Sequence, residues 1–183
     1  MKMTLILASA SPRRRELITI LTNDFSVHPA NIDETPGKYQ TPAEYALRVA
    51  TGKARQVAEF SSQPVLGADT VVCLGARIFG KPADKAENVK MLRTLSNRWH
   101  CVITAVALCK DGNVLSDLVT TRVCFAPLTE AEINQYVASG DGLDKAGGYG
   151  IQGAAGKFIA GIDGCYYNVV GLPLTAVNKM LRS

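Results

Sequence analysis

Two long apolar segments joined by Asp-Gly constrain the fold of this 183-residue chain more than any other feature. The patterns of Trp99–Lys110 and Asn113–Phe125 predict two strands, and Asp111-Gly112 between them is a strong signal for a two-residue hairpin turn. The chain is therefore expected to contain a long antiparallel strand pair.

Helix and strand signals alternate around this hairpin. Thr41 and Thr129 each begin a capping-box sequence, and Asp84 precedes a third helical segment. Further helices are predicted from Pro12 and from Leu172-Pro173. Strands are predicted at residues 5–8, 25–29, 63–74, 77–80, 157–162 and 166–170, and a polar loop at 31–40. Strands mixed with helices and hairpins predict an α/β fold with a mixed sheet.

Length and composition narrow the classes of function. A chain of 183 residues that is 47% hydrophobic fits one domain, residues 1–183, with an ample core. The net charge of +4 is spread along the chain, so a nucleic-acid partner is not expected. No apolar run approaches the roughly 18 residues that span a bilayer, and no signal peptide is predicted at the Met1 end.

Cysteine and histidine usage narrows the possible classes of function further. Five scattered cysteines show no zinc or redox spacing, which favours reduced thiols and a cytoplasmic protein. With two histidines only, histidine-based triads and metal sites are improbable. Acid–base chemistry would then fall to carboxylates or lysines.

A basic cluster at the start of the first predicted helix is the first sign of a functional site. Ser11 suits the N-cap position and Pro12 the first helical position, which puts Arg13, Arg14 and Arg15 in a turn where the helix dipole disfavours cations. A bound phosphate would compensate for this unfavourable positive charge, held by Ser9, Ser11, free helix N–H groups and guanidinium groups. The alternative is a solvated basic turn.

Two further charges lie inside apolar patterns. Lys53 falls on the apolar face of the helix that starts at Thr41, where an ammonium either extends to solvent or meets a buried anion. Asp69 interrupts the apolar strand 63–74, so it should be paired, metal-bound or shifted in pKa, unless it belongs to a capped turn or a structural salt bridge. Gly67 and Ala68 would let a ligand approach the backbone closely.

Three other segments could contribute polar groups, although each could also be ordinary surface. They are Asp33-Glu34 in a polar loop, Lys81 after a predicted hairpin, and the glycine-rich segment 144–153 with Lys145 and Gln152. Cations would bind a polyphosphate, while carboxylates would hold a divalent metal or activate water. The combination indicates chemistry on a phosphate ester or anhydride. The P-loop pattern is missing from the sequence.

Seven short motifs in this order resemble the Maf nucleoside triphosphate pyrophosphatases over essentially the whole chain. They are residues 9–14, Asp33-Glu34, Lys53, 67–72, 80–82, 144–153 and 167–173. The resemblance implies an elongated two-lobed α/β fold around a central cleft, shared with the inosine triphosphatases. It also implies cleavage of a nucleoside triphosphate between the α and β phosphates with Mg²⁺ or Mn²⁺, and a homodimer.

The resemblance also assigns roles to individual residues. Asp69 matches the proposed proton acceptor, while Lys53 and Lys81 would neutralise charge on the phosphoryl oxygens. Glu34 and Asp69 would hold the metal, so the sequence leaves Asp69 as base, metal ligand or both. Substrate contacts are expected from Ser9, Ser11, Arg13, Arg14, Thr70, Lys145 and Gln152.

Three of these positions bear on the base that is recognised. Arg13, Thr70 and Gln152 match the branch that acts on dTTP and UTP, whereas the 7-methyl-GTP branch has an aromatic residue, Gln and Glu there. A dTTP/UTP pyrophosphatase is therefore predicted. The alternatives are the same reaction on 7-methyl-GTP or another modified nucleotide, and a nucleotide-sensing regulator of septum formation or nucleic-acid binder without turnover.

Overall fold

The computed structural model describes residues 4–35 and 41–183, so the predicted loop at 31–40 is described only as far as Thr35. The strands are β1 (Leu5–Leu7), β2 (Phe25–Val27), β3 (Val65–Leu74), β4 (Arg77–Phe79), β5 (Trp99–Lys110), β6 (Asn113–Phe125) and β7 (Ile159–Asp163). The α-helices are α1 (Pro12–Ile18), α2 (Pro42–Ala58), α3 (Lys85–Leu95), α4 (Glu130–Ser139), α5 (Tyr166–Val170) and α6 (Leu174–Arg182), and short 3-10 turns occupy Ala146–Gly148 and Ala154–Phe158.

The strands form a seven-stranded mixed sheet in the order β2-β1-β3-β5-β6-β7, with β4 paired to β3. Strand β1 is parallel to both β2 and β3, while β4 is antiparallel to β3 and β7 is antiparallel to β6. The α/β class with a mixed sheet, predicted from the sequence, is confirmed.

Local signals in the sequence define most element ends. At the turn between β5 and β6, Asp111 and Gly112 have φ angles of 49° and 75°, the backbone that a primed two-residue hairpin turn requires. Thr41 and Thr129 form complete capping boxes at the starts of α2 and α4. Gly140 ends α4 in the left-handed conformation with φ 77°.

The C-terminal part of the sequence prediction is wrong in two places. Residues 166–170 form the helix α5 rather than a strand, and residues 157–158 end a 3-10 turn before β7 begins. The aromatic and β-branched run favours a strand locally, but the side chain of Asn168 is fully buried and donates to Val102 O and Thr121 Oγ1, both at 2.9 Å. Tertiary contacts of this side chain override the local preference, and Cys165 consequently lies outside any strand.

The chain divides into two compact units. The first contains residues 1–70, 104–119 and 171–183, and the second contains residues 71–103 and 120–170. The core of the second unit includes Phe79, Phe125, Tyr149 and Phe158. The ring of Phe125 packs edge to face against the rings of Tyr149 and Phe158. Across residues 4–35 and 41–183, no helix has the length and apolar character needed to cross a bilayer.

Candidate active site

Asp69 and Lys53 form a buried ion pair in the first unit. Asp69 lies in β3, where every residue except Thr70 and Leu74 is buried, and Lys53 lies on the buried face of α2. The Lys53 Nζ atom is 3.0 Å from Asp69 Oδ1. The ammonium therefore meets a buried anion, one of the two outcomes expected from its position in the sequence.

Gly67 allows α2 to lie close enough to β3 for this contact. A Cβ atom at Gly67 would lie 2.3 Å from Ala50 O and 2.7 Å from Ala54 N, both in α2. The close approach at Gly67 is thus made by a helix of the protein itself, and the expectation that a ligand would approach the backbone there is wrong. Because Lys53 is next to Ala54 in α2, the close packing of α2 on β3 also brings the Lys53 side chain to Asp69.

Glu34 adds a second carboxylate to the Lys53 ammonium. Its Oε1 atom is 3.0 Å from Lys53 Nζ, although the Glu34 side chain is 48% exposed. The Glu34 Oε1 and Asp69 Oδ1 atoms are therefore no more than about 6 Å apart. Two carboxylates from distant parts of the sequence converge on one cationic group.

The environment of Asp69 favours its protonated form more than water would. Burial raises the pKa of the Asp69 carboxyl, and the nearby Lys53 and Arg14 charges act in the opposite direction. A carboxylate that is desolvated yet kept beside cations can accept a proton in a reaction. This matches the proton-acceptor role that the resemblance implies.

Most side-chain N–H groups of Arg14 donate hydrogen bonds to acceptors within the protein. Nε donates to Gly171 O at 2.8 Å, Nη1 to Ala68 O at 2.8 Å and Ser9 Oγ at 3.3 Å, and Nη2 to Thr70 Oγ1 at 2.9 Å. Four of the five guanidinium N–H groups thus have protein acceptors. Sequence reasoning did not anticipate this, since Arg14 and Gly171 are 157 positions apart.

The hydroxyls predicted to bind substrate lie around this guanidinium. Ser9 Oγ also accepts from Ser11 N at 3.2 Å, and Ser11 Oγ caps α1 by accepting from Arg14 N at 3.4 Å. Thr70 Oγ1 lies 2.9 Å from Thr104 Oγ1. The N–H groups of Ser11 and Arg14 are therefore occupied by these side chains.

The three consecutive arginines differ in exposure. Arg14 is buried, Arg13 is partly exposed and Arg15 is exposed. Burial lowers the pKa of Arg14, and the neighbouring Arg13 charge lowers it further. Arg13 thus retains access to solvent at the surface of the first unit.

Lys145 lies in the second unit within the glycine-rich segment. Its Nζ atom is 3.0 Å from Asp141 Oδ1 and 2.7 Å from Asp144 Oδ1. Its alkyl chain covers Gly150, where an added Cβ would lie 2.6 Å from Lys145 Cε. The lysine therefore holds the segment together in addition to any contact with substrate.

Lys81 and Gln152 also belong to the second unit, and both are exposed. Next to Lys81, Gly80 O accepts from Gly147 N at 3.0 Å. On the same segment, Gly148 O accepts from the fully buried Asn88 Nδ2 at 2.8 Å. Asn88, which sequence reasoning missed, anchors the segment through a contact with no local sequence signal.

Tyr45 and Arg48 of α2 were also missed. The Tyr45 hydroxyl donates to Glu34 O at 2.8 Å, and Arg48 donates to the backbone on either side of Glu34. Burial, with the Asp69 and Glu34 charges, raises the pKa of Tyr45 to about 12. Tyr45, Gly52 and Gln56 recur at helical spacing, so the sequence places them along one edge of α2 but does not identify the backbone that this edge contacts.

Glu34 and Asp69 suit a divalent metal by the chemistry of their donors. Within the described part of the chain, no group of three or more Asp, Glu, His or Cys side chains could hold a metal ion. Mg²⁺ usually takes only one or two carboxylates, with water and substrate phosphates completing its shell. The two carboxylates that converge on Lys53 fit that requirement.

Comparisons with known proteins agree with the sequence and the fold. The model of a family described as Maf-like protein matches residues 4–183. The dTTP/UTP pyrophosphatase of Koribacter versatilis is 45% identical over 98% of this chain and 94% of its own length, and that of Clostridium botulinum (strain Hall) is 44% identical over 97% and 95%. A HAM1 protein from Coxiella burnetii is similar in fold alone, with a TM-score of 0.51 at 22% identity over 69% of this chain and 74% of that chain.

Proposed function

We propose that this chain, which belongs to the Maf family, hydrolyses dTTP and UTP between the α and β phosphates to give the monophosphate and pyrophosphate. The observation that carries the proposal is the buried Asp69 carboxylate, held 3.0 Å from Lys53 in an otherwise apolar strand. A protein that only bound nucleotides would gain nothing from an anion there, since it would repel phosphate. The names of the relatives support the same reaction.

Asp69 is the proton acceptor of this reaction. A water molecule adds to the α-phosphorus, its proton passes to Asp69, and the bond from this phosphorus to the bridging oxygen breaks as pyrophosphate leaves. Burial, which raises the pKa of the Asp69 carboxyl, makes it a better acceptor than an exposed aspartate. Lys53 keeps the carboxylate oriented and balances negative charge beside the phosphoryl oxygens.

Glu34 and Asp69 would hold a divalent cation, Mg²⁺ or Mn²⁺. When bound, such an ion supplies positive charge to the phosphate oxygens and lowers the pKa of water. The exposed position of the Glu34 side chain allows it to reach an ion that arrives with the nucleotide.

Phosphate binding is assigned to hydroxyl and cationic groups. Ser9 and Ser11 accept hydrogen bonds from the backbone or from Arg14, and a hydroxyl that accepts can still donate its own proton to a phosphate oxygen. Arg14 fixes these hydroxyls and adds positive charge. We also assign Lys81 and Lys145 to phosphate binding.

Base selection is assigned to Arg13, Thr70 and Gln152. The exposed Gln152 amide can donate to one edge atom of a uracil or thymine imide and accept from another. The Thr70 hydroxyl is fixed by Arg14 and Thr104, which favours a defined contact over an adaptable one. The homodimer implied by the family resemblance stays a prediction.

A panel of triphosphates tests the proposal. Purified protein with Mg²⁺ or Mn²⁺ is given dTTP, UTP, CTP, ATP, GTP or 7-methyl-GTP, and the products are identified by ³¹P NMR. We expect monophosphate and pyrophosphate in equal amounts, with dTTP and UTP preferred. Release of orthophosphate, preference for 7-methyl-GTP, or nucleotide binding without turnover would contradict the proposal.

A further inference from the structure

Two side chains of α2 hold three successive backbone carbonyls of the segment that carries Glu34. The Tyr45 hydroxyl donates to Glu34 O at 2.8 Å. Arg48 donates to Asp33 O at 3.2 Å and to Thr35 O at 2.8 Å. We call Tyr45 and Arg48 the carbonyl clamp. The Arg48 guanidinium also lies over the Tyr45 ring, 5.5 Å from its centre, so the two side chains support each other.

The same helix fixes the start of this segment. Gln56 Nε2 donates to Asn31 O at 2.5 Å, and Asn31 N donates to Gln56 Oε1 at 2.7 Å. Between these anchors, Ile32 packs so closely on Gly52 that an added Cβ would lie 3.1 Å from its Cδ1 atom. Side chains of α2 thus hold the backbone of residues 31–35 at both ends.

The clamp matters because the Glu34 side chain has little packing of its own. It is 48% exposed, and its carboxylate makes an ion pair with Lys53 Nζ at 3.0 Å. An exposed glutamate on an unanchored loop would lose much conformational freedom on binding an ion, which weakens binding. Fixing the backbone in advance removes part of that loss, as partners behind a metal ligand commonly do.

We infer that Tyr45 and Arg48 are positioning residues that set the affinity of the protein for its divalent metal by fixing the backbone of Glu34. The inference rests on the proposed function, because it takes Glu34 as a metal ligand. Tyr45 and Arg48 are assigned no direct contact with the metal or the reacting phosphate. Their effect is exerted through hydrogen bonds to the carbonyls of residues 33–35.

Mn²⁺ binding measured by electron paramagnetic resonance tests the inference without turnover. The protein is saturated with α,β-imido-UTP, which cannot be cleaved at the α–β position, and titrated with Mn²⁺. The variants are Tyr45→Phe, Arg48→Gln and Glu34→Gln. Arg55→Gln is the matched control, since it removes an exposed guanidinium from the same helix.

We expect the dissociation constant for Mn²⁺ to rise about fivefold in Tyr45→Phe and about 25-fold in Arg48→Gln, in line with the loss of one and two hydrogen bonds. Arg55→Gln should match the wild type. In the Glu34→Gln background the clamp substitutions should add little, because they act through Glu34. Raised Mn²⁺ concentration should restore the turnover of both clamp variants, which a general loss of folding would not allow.

Two results would overturn the inference in distinguishable ways. If Glu34→Gln weakens Mn²⁺ binding but the clamp variants do not, the clamp has no positioning role while the proposed function stands. If Glu34→Gln itself leaves Mn²⁺ binding unchanged, Glu34 is not a metal ligand, and this part of the proposed function fails together with the inference.

Discussion

The Lys53 ammonium nitrogen lies 3.0 Å from Asp69 Oδ1, and the two side chains are only 11% and 10% exposed. Each charge would be costly to bury alone, so the pair depends on both partners being present. The second carboxylate on Lys53, from Glu34, reaches the same ammonium from the more exposed side. The arrangement connects the stability of the first unit to the groups assigned to catalysis.

Replacing Lys53 should destabilise the protein markedly. Lys53→Met leaves Asp69 buried without its partner, and we expect the free energy of unfolding to fall by about 3–5 kcal/mol in urea denaturation. Adding Asp69→Asn should recover part of this loss, because the unpaired charge is then removed. The exposed Lys90 of α3 provides the control Lys90→Met. Equal stability of the two single variants would contradict the account.

The spacing between α2 and β3 should be sensitive to a single methyl group. Gly67→Ala places a carbon 2.3 Å from Ala50 O, so we expect the free energy of unfolding to fall by about 1–3 kcal/mol and kcat to fall as Lys53 shifts. Gly80→Ala is the matched control, because an added Cβ there meets nothing within 4 Å. Thermal unfolding and pyrophosphate release of both variants provide the measurement. Equal unfolding free energies and equal rates of pyrophosphate release for the two variants would show that the close approach of α2 to β3 is not required.

Features determined by neighbouring residues could be predicted from the sequence, whereas distant contacts could not. The capping boxes at Thr41 and Thr129 and the turn at Asp111-Gly112 depend on backbone conformations that short segments specify. The helix α5 was mispredicted because the buried contacts of Asn168 decide its conformation.

The candidate site shows the same division. The charges of Lys53 and Asp69 stood out because they interrupt apolar patterns, and the structure confirms that both are buried. The bonds from Arg14 to Gly171 and from Tyr45 to Glu34 join residues whose proximity arises only from packing. No periodicity in the sequence specifies which carbonyl a buried arginine or a tyrosine will meet.

Stability should fall in mild acid because of His100. This residue is buried and its Nε2 atom lies 2.7 Å from Tyr149 OH, and burial lowers its pKa from 6.5 to about 4. The unfolded chain therefore binds a proton between pH 6.5 and 4 that the folded protein does not, which removes about 3 kcal/mol of stability as pH falls through this range. His100→Gln should flatten the urea-derived stability profile, whereas His28→Gln, at an exposed position, should not. Parallel profiles for wild type and His100→Gln would contradict this.

Base preference should depend on Gln152. In Gln152→Glu the side chain can only accept hydrogen bonds, so it loses the donor half of its pairing with a uracil or thymine imide. We expect kcat/KM for UTP to fall about tenfold relative to that for purine triphosphates, with thermal stability unchanged because the position is exposed. Gln135→Glu, also exposed in the second unit, controls for added negative charge. An unchanged ratio of UTP to purine hydrolysis would exclude Gln152 from base selection.

The most direct test of the account is the rate of pyrophosphate release from UTP by Asp69→Asn. The amide keeps the size of the carboxylate but accepts no proton at neutral pH, so we expect turnover to fall by about 10²–10⁴-fold, with a wild-type circular dichroism spectrum. Asp163→Asn makes the same change at a side chain that is 67% exposed, and it should retain full activity. Turnover by Asp69→Asn within twofold of the Asp163→Asn rate would contradict the role assigned to Asp69.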